Sequence, residues 1–229
     1  MIQKQVLPLL STDILTKRNG LPEKPKSIEI AGKYVRLAPL VIERDAKSLF
    51  EVSNGSLITT NERSINTFDA DELIWRYMFD GPFKTIADFK ASLQPYVNAT
   101  NGLCFCVYDK VSEMPVGVAN FMNNSPIHLK IELGGIWYSP IAQRTQVNTE
   151  ATYMMLKHCF DLGYRRLEWK CDARNERSRK AALRMGFKFE GIQESHMIMK
   201  DRNRDTAWYR ILEAEWMDVK NKLELLLYK

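Results

Sequence analysis

Two polar segments of this chain have the residue types and spacing to hold an anion. One is Gln143-Arg144-Thr145-Gln146-Val147-Asn148-Thr149-Glu150-Ala151, the other Asn175-Glu176-Arg177-Ser178. Each follows a β-like run and opens a helical pattern. The unpaired N–H groups of a helix's first turn, and the positive end of its dipole, then face whatever sits there. This is phosphate-binding chemistry without a Walker lysine. The chain has no G-x-x-x-x-G-K-[ST] and no G-x-G-x-x-G, so the usual signatures of nucleotide hydrolysis and dinucleotide redox chemistry are missing. His128 and His196 titrate in a range useful for proton transfer, but each stands in a turn-like or surface-like context. Cys104, Cys106, Cys159 and Cys171 form no C-x-x-C pair, and three of them lie in apolar runs. Buried free thiols are expected and a metal site is not.

The composition suits a folded, soluble chain. Hydrophobic residues make up 45%, aromatic residues 10% and charged residues 27% of 229 residues, which argues against a mostly disordered protein. The net charge of +5 (33 Lys and Arg against 28 Asp and Glu) is mild. It fits an anionic ligand or a ribosomal neighbour no better than an ordinary solvated surface. Without a concentrated basic face, nucleic-acid binding is an unlikely main activity. No run reaches the ~18 apolar residues of a membrane span and the N-terminus lacks an apolar signal core, so no membrane association and a reducing, cytoplasmic setting are expected.

The elements that must position these residues can be read from periodicity. Residues 1–27, with Pro8, Pro22 and Pro25, read as an extended arm, and 28–229 as one domain. Ile28–Ile30 and Tyr34–Leu37 alternate as a hairpin or bent first strand. Helical patterns follow at Glu43–Val52, Asp71–Phe79 and Thr85–Val97, the last interrupted at Pro95. Leu103–Tyr108, Pro115–Met122 and Leu129–Tyr138 then read as an antiparallel meander. In the third run, Gly134-Gly135 predicts a kink or bulge. After the first polar segment, Ala151, Met154, Met155, Cys159 and Leu162 share one helical face, and Gly163 ends the helix. Arg166–Asp172 alternates as a strand. Asn175 is a good N-cap and Gly186 a good terminator for the helix between them. On it, Ser178, Ala182 and Met185 share a face, which turns the Ser178 hydroxyl inward. Arg177, Lys180 and Arg184 form a solvated stripe. Phe187–Lys200 and Thr206–Leu212 read as strands about the turn Asp201–Asp205, and Glu213–Tyr228 as a closing amphipathic helix.

This order, with Gln143–Ala151 and Asn175–Gly191, resembles the GNAT acetyltransferase superfamily, and most closely its ribosomal-protein N-terminal acetyltransferase branch. Tyr34-Val35-Arg36-Leu37, Trp75-Arg76-Tyr77, Gly81-Pro82-Phe83 and Arg202-Asn203-Arg204-Asp205-Thr206-Ala207-Trp208 extend the likeness from about Gly32 onward. It implies an α+β fold: a mixed, mainly antiparallel sheet flanked by helices and splayed between its fourth and fifth strands, with acetyl-CoA in the opening. The family's pyrophosphate loop, Q/R-x-x-G-x-G/A, falls on Gln143, Arg144, Thr145, Gln146, Val147 and Asn148, followed by Thr149. Glutamine replaces the central glycine, so Gln146 is expected to need an ordinary φ or to carry strain.

The implied activity is transfer of the acetyl group from acetyl-CoA to a primary amine by direct attack in a ternary complex. Such a reaction needs a neutral amine, a donor for the oxyanion and a proton for the departing thiolate. The tyrosine that many members use as acid is replaced by Ala182. The branch's N-x-x-S form is kept, which points to Ser178 as the acid and to Asn175 as a guide for the pantetheine arm or a water. Ser178 bonding back to the Asn175 cap is the alternative. Glu132 matches the glutamate of the family's fourth strand and is the candidate base. Its alternative is a strand carboxylate paired with Lys130 or Lys170. Backbone amide near Gly134-Gly135 would polarise the thioester carbonyl. Trp75, Tyr77 and Phe83 wall the acceptor site or simply fill the core. The acceptor is a small molecule or a protein N-terminus, and the oligomeric state stays open. The competing function is a non-catalytic CoA-binding or interaction module, suggested by Gln146 and the missing tyrosine.

Overall fold

A computed structural model describes residues 9–61 and 63–229. The arm is not uniformly extended: Ser11 caps a short helix α1 (Thr12–Lys17), which closes in a 3-10 turn at Arg18–Gly20. Its first eight residues lie outside the described part. Strands β1 (Ile30–Ala31) and β2 (Val35–Pro39) form the expected hairpin. Helix α2 (Ile42–Glu51) follows, then a small two-stranded sheet of β3 (Ile58–Thr59) and β4 (Ser64–Ile65) that the sequence did not announce. The helical pattern at Asp71–Phe79 condenses to a single π-helical turn, Asp71–Trp75, before α3 (Ile86–Val97).

The meander is β5 (Leu103–Asp109), β6 (Pro115–Ser125) and β7 (Lys130–Tyr138). Helix α4 (Gln146–Asp161), strand β8 (Arg166–Asp172) and helix α5 (Glu176–Arg184) come next. Strands β9 (Lys188–Met199) and β10 (Arg202–Leu212) and helix α6 (Trp216–Tyr228) complete the chain. The turn expected at Asp201–Asp205 is instead the two-residue turn Lys200-Asp201. Both of its residues adopt positive φ, +50° and +60°, as the tight hairpin turn that matches strand twist requires. Most of the supposed turn is therefore strand.

The main sheet runs β1-β2-β5-β6-β7-β8-β10-β9. All its pairings are antiparallel except β7 with β8, which is parallel and covers only Lys130 to Glu132 against Arg166 to Glu168. Beyond that point β7 runs on to Tyr138 and β8 to Asp172 without pairing, so the sheet opens. Among strands of five residues or more, these are the fourth and fifth.

Two apolar layers sandwich the sheet. Leu37, Phe105, Phe121, Leu133 and Leu167 join Met155 and Leu156 of α4, Ala182 and Met185 at α5 and Leu223 of α6 on one face. On the other, Cys104, Cys106, Val118 and Trp137 join Leu49 of α2 and Phe89 of α3. All four cysteines are free and buried.

Candidate active site

Local chemistry in β7 shapes the opening. Opposite β6, Val118 pairs with Trp137 and Asn120 with Gly134, so Ala119 alone faces Gly135 and Ile136. This is a β-bulge where the glycine pair predicts one. Gly135 takes φ +56°, and a Cβ there would lie 2.6 Å from Asn120 Nδ2. The same Asn120 Nδ2 donates to the carbonyls of Gly134 (3.2 Å) and Gly135 (3.0 Å), so this buried side chain holds the bulge. Its Oδ1 finds no partner among the described residues.

Glu132 sits just before the bulge and is 2% exposed. Its Oε2 accepts from Asn123 Nδ2 at 2.7 Å and pairs with Lys170 Nζ of β8 at 2.9 Å. The partner is thus Lys170; Lys130 goes to Glu168 at 3.3 Å. The ion pair lies across the line where β7 and β8 separate. Asn123 reaches it because a second bulge in β6 gives it φ +50°.

The loop from β7 into α4 differs from the expected cradle in an informative way. Gln146 is the first residue of α4 and has ordinary helical backbone; the left-handed residue is Arg144, at φ +60°. Gln146 thus meets the first of the two expected alternatives, an ordinary φ. Gln143 turns inward: its Nε2 donates to the carbonyls of Leu73 (3.1 Å) and Tyr138 (2.9 Å), and its backbone N–H donates to Ser139 O. It ties the π-helical turn to the end of β7. Thr145 caps α4, its Oγ1 accepting from Val147 N at 3.2 Å and donating to Ala142 O at 2.7 Å. The Val147 side chain belongs to the core. The backbone amides of Gln146 and Asn148 have no acceptor among the described residues, and neither has the buried Asn148 Oδ1 a donor. Thr149 is buried one residue on. Helix-start amides and the exposed Arg144 are donors of the kind an entering pyrophosphate chain needs. The residues present fit such a ligand.

Asn175 caps α5, its Oδ1 accepting from Ser178 N at 3.1 Å. The hydroxyl does not return that bond: Ser178 Oγ accepts from Trp169 Nε1 of β8 at 3.1 Å. It points inward, as the helical spacing predicts, and retains its proton for another acceptor. Burial holds the neighbouring Cys171 thiol above its ordinary range, and the Ser178 hydroxyl beside it works against that rise. Ser178 and Glu132 approach the opening from opposite faces, since Trp169 and Cys171 alternate with Lys170 along β8.

Trp75 is core, 4% exposed, with its indole donating to Ser53 O at 2.9 Å and its ring against Phe83 and Trp137. Together with Phe79, Asp80, Tyr96, Asn120 and Gly135 these rings also line a narrow, partly open hollow that reaches the bulge. Burial, with Asp80 adding, raises the Tyr96 phenol, which stays protonated near neutrality. Tyr77 lines a second hollow nearby. His196 Nδ1 meets Thr206 Oγ1 at 2.8 Å, and His128 lies exposed in the 3-10 turn before β7. Arg177 donates to Glu72 O, so it is not simply solvated. Sequence reasoning missed Asn120, Asn123 and Arg204. A lone asparagine inside Val116–Phe121 was a signal for the first; the other two lay in segments read as turns.

No curated relative matches the sequence. Residues 36–188 match the acetyltransferase (GNAT) domain family. A GCN5-related N-acetyltransferase from Brucella melitensis is 36% identical, with 89% of this chain and 87% of that one covered and a TM-score of 0.81. A probable acetyltransferase of the GNAT family from Chromobacterium violaceum is 32% identical over 93% and 96% of the two chains, TM-score 0.78. The Salmonella typhimurium acetyltransferase that modifies the N-terminal serine of ribosomal protein L7/L12 shares the fold at 15% identity, covering 81% of this chain and 99% of that one, TM-score 0.65. The chain belongs to the GNAT acetyltransferase superfamily. That membership implies acetyl-CoA-dependent acetyl transfer. Among the described residues no helix is long and apolar enough to cross a membrane, and no group of three His, Cys, Asp or Glu side chains gathers as for a metal.

Proposed function

We propose that the protein is a cytoplasmic N-acetyltransferase that transfers the acetyl group of acetyl-CoA to a primary amine by direct attack in a ternary complex. The observation that carries this reading is the parting of β7 from β8 immediately after Glu132 and Glu168, beside a bulge whose backbone is held by Asn120. Acetyl-CoA supplies the acyl group. Arg144 and the amides of Gln146 and Asn148 hold its pyrophosphate. Gln143, Thr145, Val147 and Thr149 shape that loop rather than bind through their side chains, except where Thr149 borders the opening. Asn175 positions the first turn of α5, and Ser178 keeps a proton available for the departing thiolate.

Glu132, with Lys170 and Asn123 fixed on it, receives the proton of the incoming amine directly or through water. A general base contributes roughly 10²–10⁴-fold, so its removal is large and measurable. The acceptor is a small molecule or a protein N-terminus. The ribosomal-protein N-terminal acetyltransferase branch is favoured by the N-x-x-S pattern at Asn175–Ser178; the Salmonella enzyme shares the fold alone. The ion pair on Glu132 favours the second reading, a CoA-binding module without turnover, because Lys170 and Asn123 already engage the carboxylate. Incubation with acetyl-CoA and a panel of N-terminal peptides, polyamines, amino acids and aminoglycosides decides between them. Amine-dependent release of free thiol is expected; CoA binding with no thiol from any acceptor would leave the module reading.

A further inference from the structure

Arg204 of β10 is 4% exposed, and among the described residues no ion pair and no oxygen acceptor holds its guanidinium. Its Nε has no partner among the described residues, and its Nη1 reaches only the Met199 sulfur at 3.7 Å. The guanidinium carbon lies 5.0 Å from the centre of the Phe79 ring. The carboxylates in electrostatic range are Asp172 and Glu132. Both are engaged elsewhere: Asp172 takes the Arg174 side chain and backbone amide, and Glu132 takes Lys170 and Asn123.

Phe79 lines the hollow above the bulge, and Met199 lines a second, larger one that opens to solvent. Arg204 thus touches one lining residue of each. The larger hollow is strongly basic, with Arg76, Arg174, Lys200 and Arg202 against Asp71. Arg76 is paired with Asp71 and Arg174 with Asp172. Lys200 donates to the Trp75 carbonyl at 2.8 Å, with Asp71 and Asp80 the acids in range, and Arg202 has no partner among the described residues. A buried cation without an ion partner is unfavourable unless a ligand supplies the charge, and planar guanidinium suits a carboxylate.

We propose that the acceptor amine bears a carboxylate, which enters through the basic hollow past Arg202 and Lys200 and is held at Arg204 beside the opened sheet. This rests on the acetyltransferase reading above and narrows its substrate class to anionic amines, against polyamines and aminoglycosides. The carboxylate can belong to a free amino acid or to an acidic residue near a peptide N-terminus.

The test uses matched acceptors: serine against serinamide, and a tetrapeptide with glutamate at its second position against its glutamine counterpart, with spermidine as the polycation. The peptide pair keeps the amine unchanged. Thiol release is expected to show kcat/KM roughly ten- to a hundredfold higher for the carboxylate member of at least one pair, the usual worth of a charge-assisted hydrogen bond. Which pair responds tells amino acid from peptide. Arg204→Met and Arg202→Ala are each expected to bring that ratio towards one; the second, at an exposed site, guards against misfolding of the first. Equal or faster turnover of the neutral member in both pairs, or preference for spermidine, overturns the proposal while leaving acetyl transfer intact. If no acceptor releases thiol, the acetyltransferase reading fails instead. Calorimetric titration of the same pairs in the presence of CoA then decides whether the carboxylate is preferred.

Discussion

Replacing Glu150 by glutamine should weaken the protein far more than its conservative shape suggests. Glu150 is fully buried one turn into α4. Its Oε1 accepts from Lys33 N and Tyr228 Oη, both at 2.8 Å, and its Oε2 from Tyr34 N at 2.6 Å and Val35 N at 2.9 Å. One carboxylate thus fastens the β1–β2 turn and the end of α6 to the helix that begins beside the candidate pyrophosphate loop. Gly32 makes the approach feasible, since a Cβ there would lie 2.4 Å from the carboxylate. Glutamine keeps one of the two acceptor oxygens and turns an NH2 group towards N–H donors. With the NH2 on the Oε1 side, where the Tyr228 hydroxyl can turn to accept, the Lys33 N–H bond is lost and the two N–H bonds to the remaining oxygen lose their charge assistance, roughly 3.5–5 kcal/mol in all, part of it offset by the smaller desolvation cost of a neutral amide. The net cost works out at about 3 kcal/mol, which corresponds to a fall in Tm of roughly 6–12 °C for a chain of this size. Tyr228→Phe removes one of the four donors and should cost about 1 kcal/mol. Urea unfolding followed by tryptophan fluorescence measures both. A loss below about 1 kcal/mol for Glu150→Gln, or one smaller than that of Tyr228→Phe, would refute the reasoning, because the bonds would then be replaceable by water.

Three further outcomes follow from the site and its surroundings. Ser178→Ala should lower kcat by about a hundredfold or more while acetyl-CoA affinity, read by calorimetry, changes little; a matching loss of affinity and stability would make the serine only a partner for Trp169. Gly135→Ala forces a Cβ to 2.6 Å from Asn120 Nδ2 at φ +56°, and should cost about 2 kcal/mol in urea unfolding and depress kcat; unchanged kcat would remove the bulge from the chemistry. Burial tends to raise the Glu215 carboxyl, but Lys188, the Leu212 amide and Arg210 outweigh it and hold it at about 2, below its ordinary 4.5. A depressed carboxylate contributes stability that is complete above pH 4.5 and lost as pH falls towards 2. After solvent screening this amounts to about 1 kcal/mol. Thermal unfolding between pH 5 and 2 should therefore fall more steeply for the natural protein than for Glu215→Gln, and parallel curves would rule it out.

The proton chemistry proposed at the sheet opening relies on none of the four cysteines or three histidines. Burial raises the Cys104, Cys106 and Cys159 thiols, which keeps them protonated and inert. Where β7 leaves β8, the carboxylates of Glu132 and Glu168 are each paired with a lysine of the facing strand.

What the sequence alone determined is what local physics controls. The alternation of β5 to β8, the Asn175 cap and the left-handed Gly186 are decided by side-chain period and backbone sterics within a few residues, and each stands where it was read. The Gly134-Gly135 bulge belongs with them. The tertiary structure alone decided which partners those elements meet. Gln143 looks like a phosphate-loop residue until Leu73, seventy positions away, claims its side chain. Arg144, not Gln146, takes the left-handed backbone, because α4 already begins at Gln146. Lys170 rather than Lys130 neutralises Glu132, because a three-residue parallel register sets which strand neighbours face each other. Arg204 looked like part of an exposed turn, and only the pairing of β10 with β8 and β9 buries it. Charge and burial at such a residue depend on contacts far along the chain, and no local pattern carries that information.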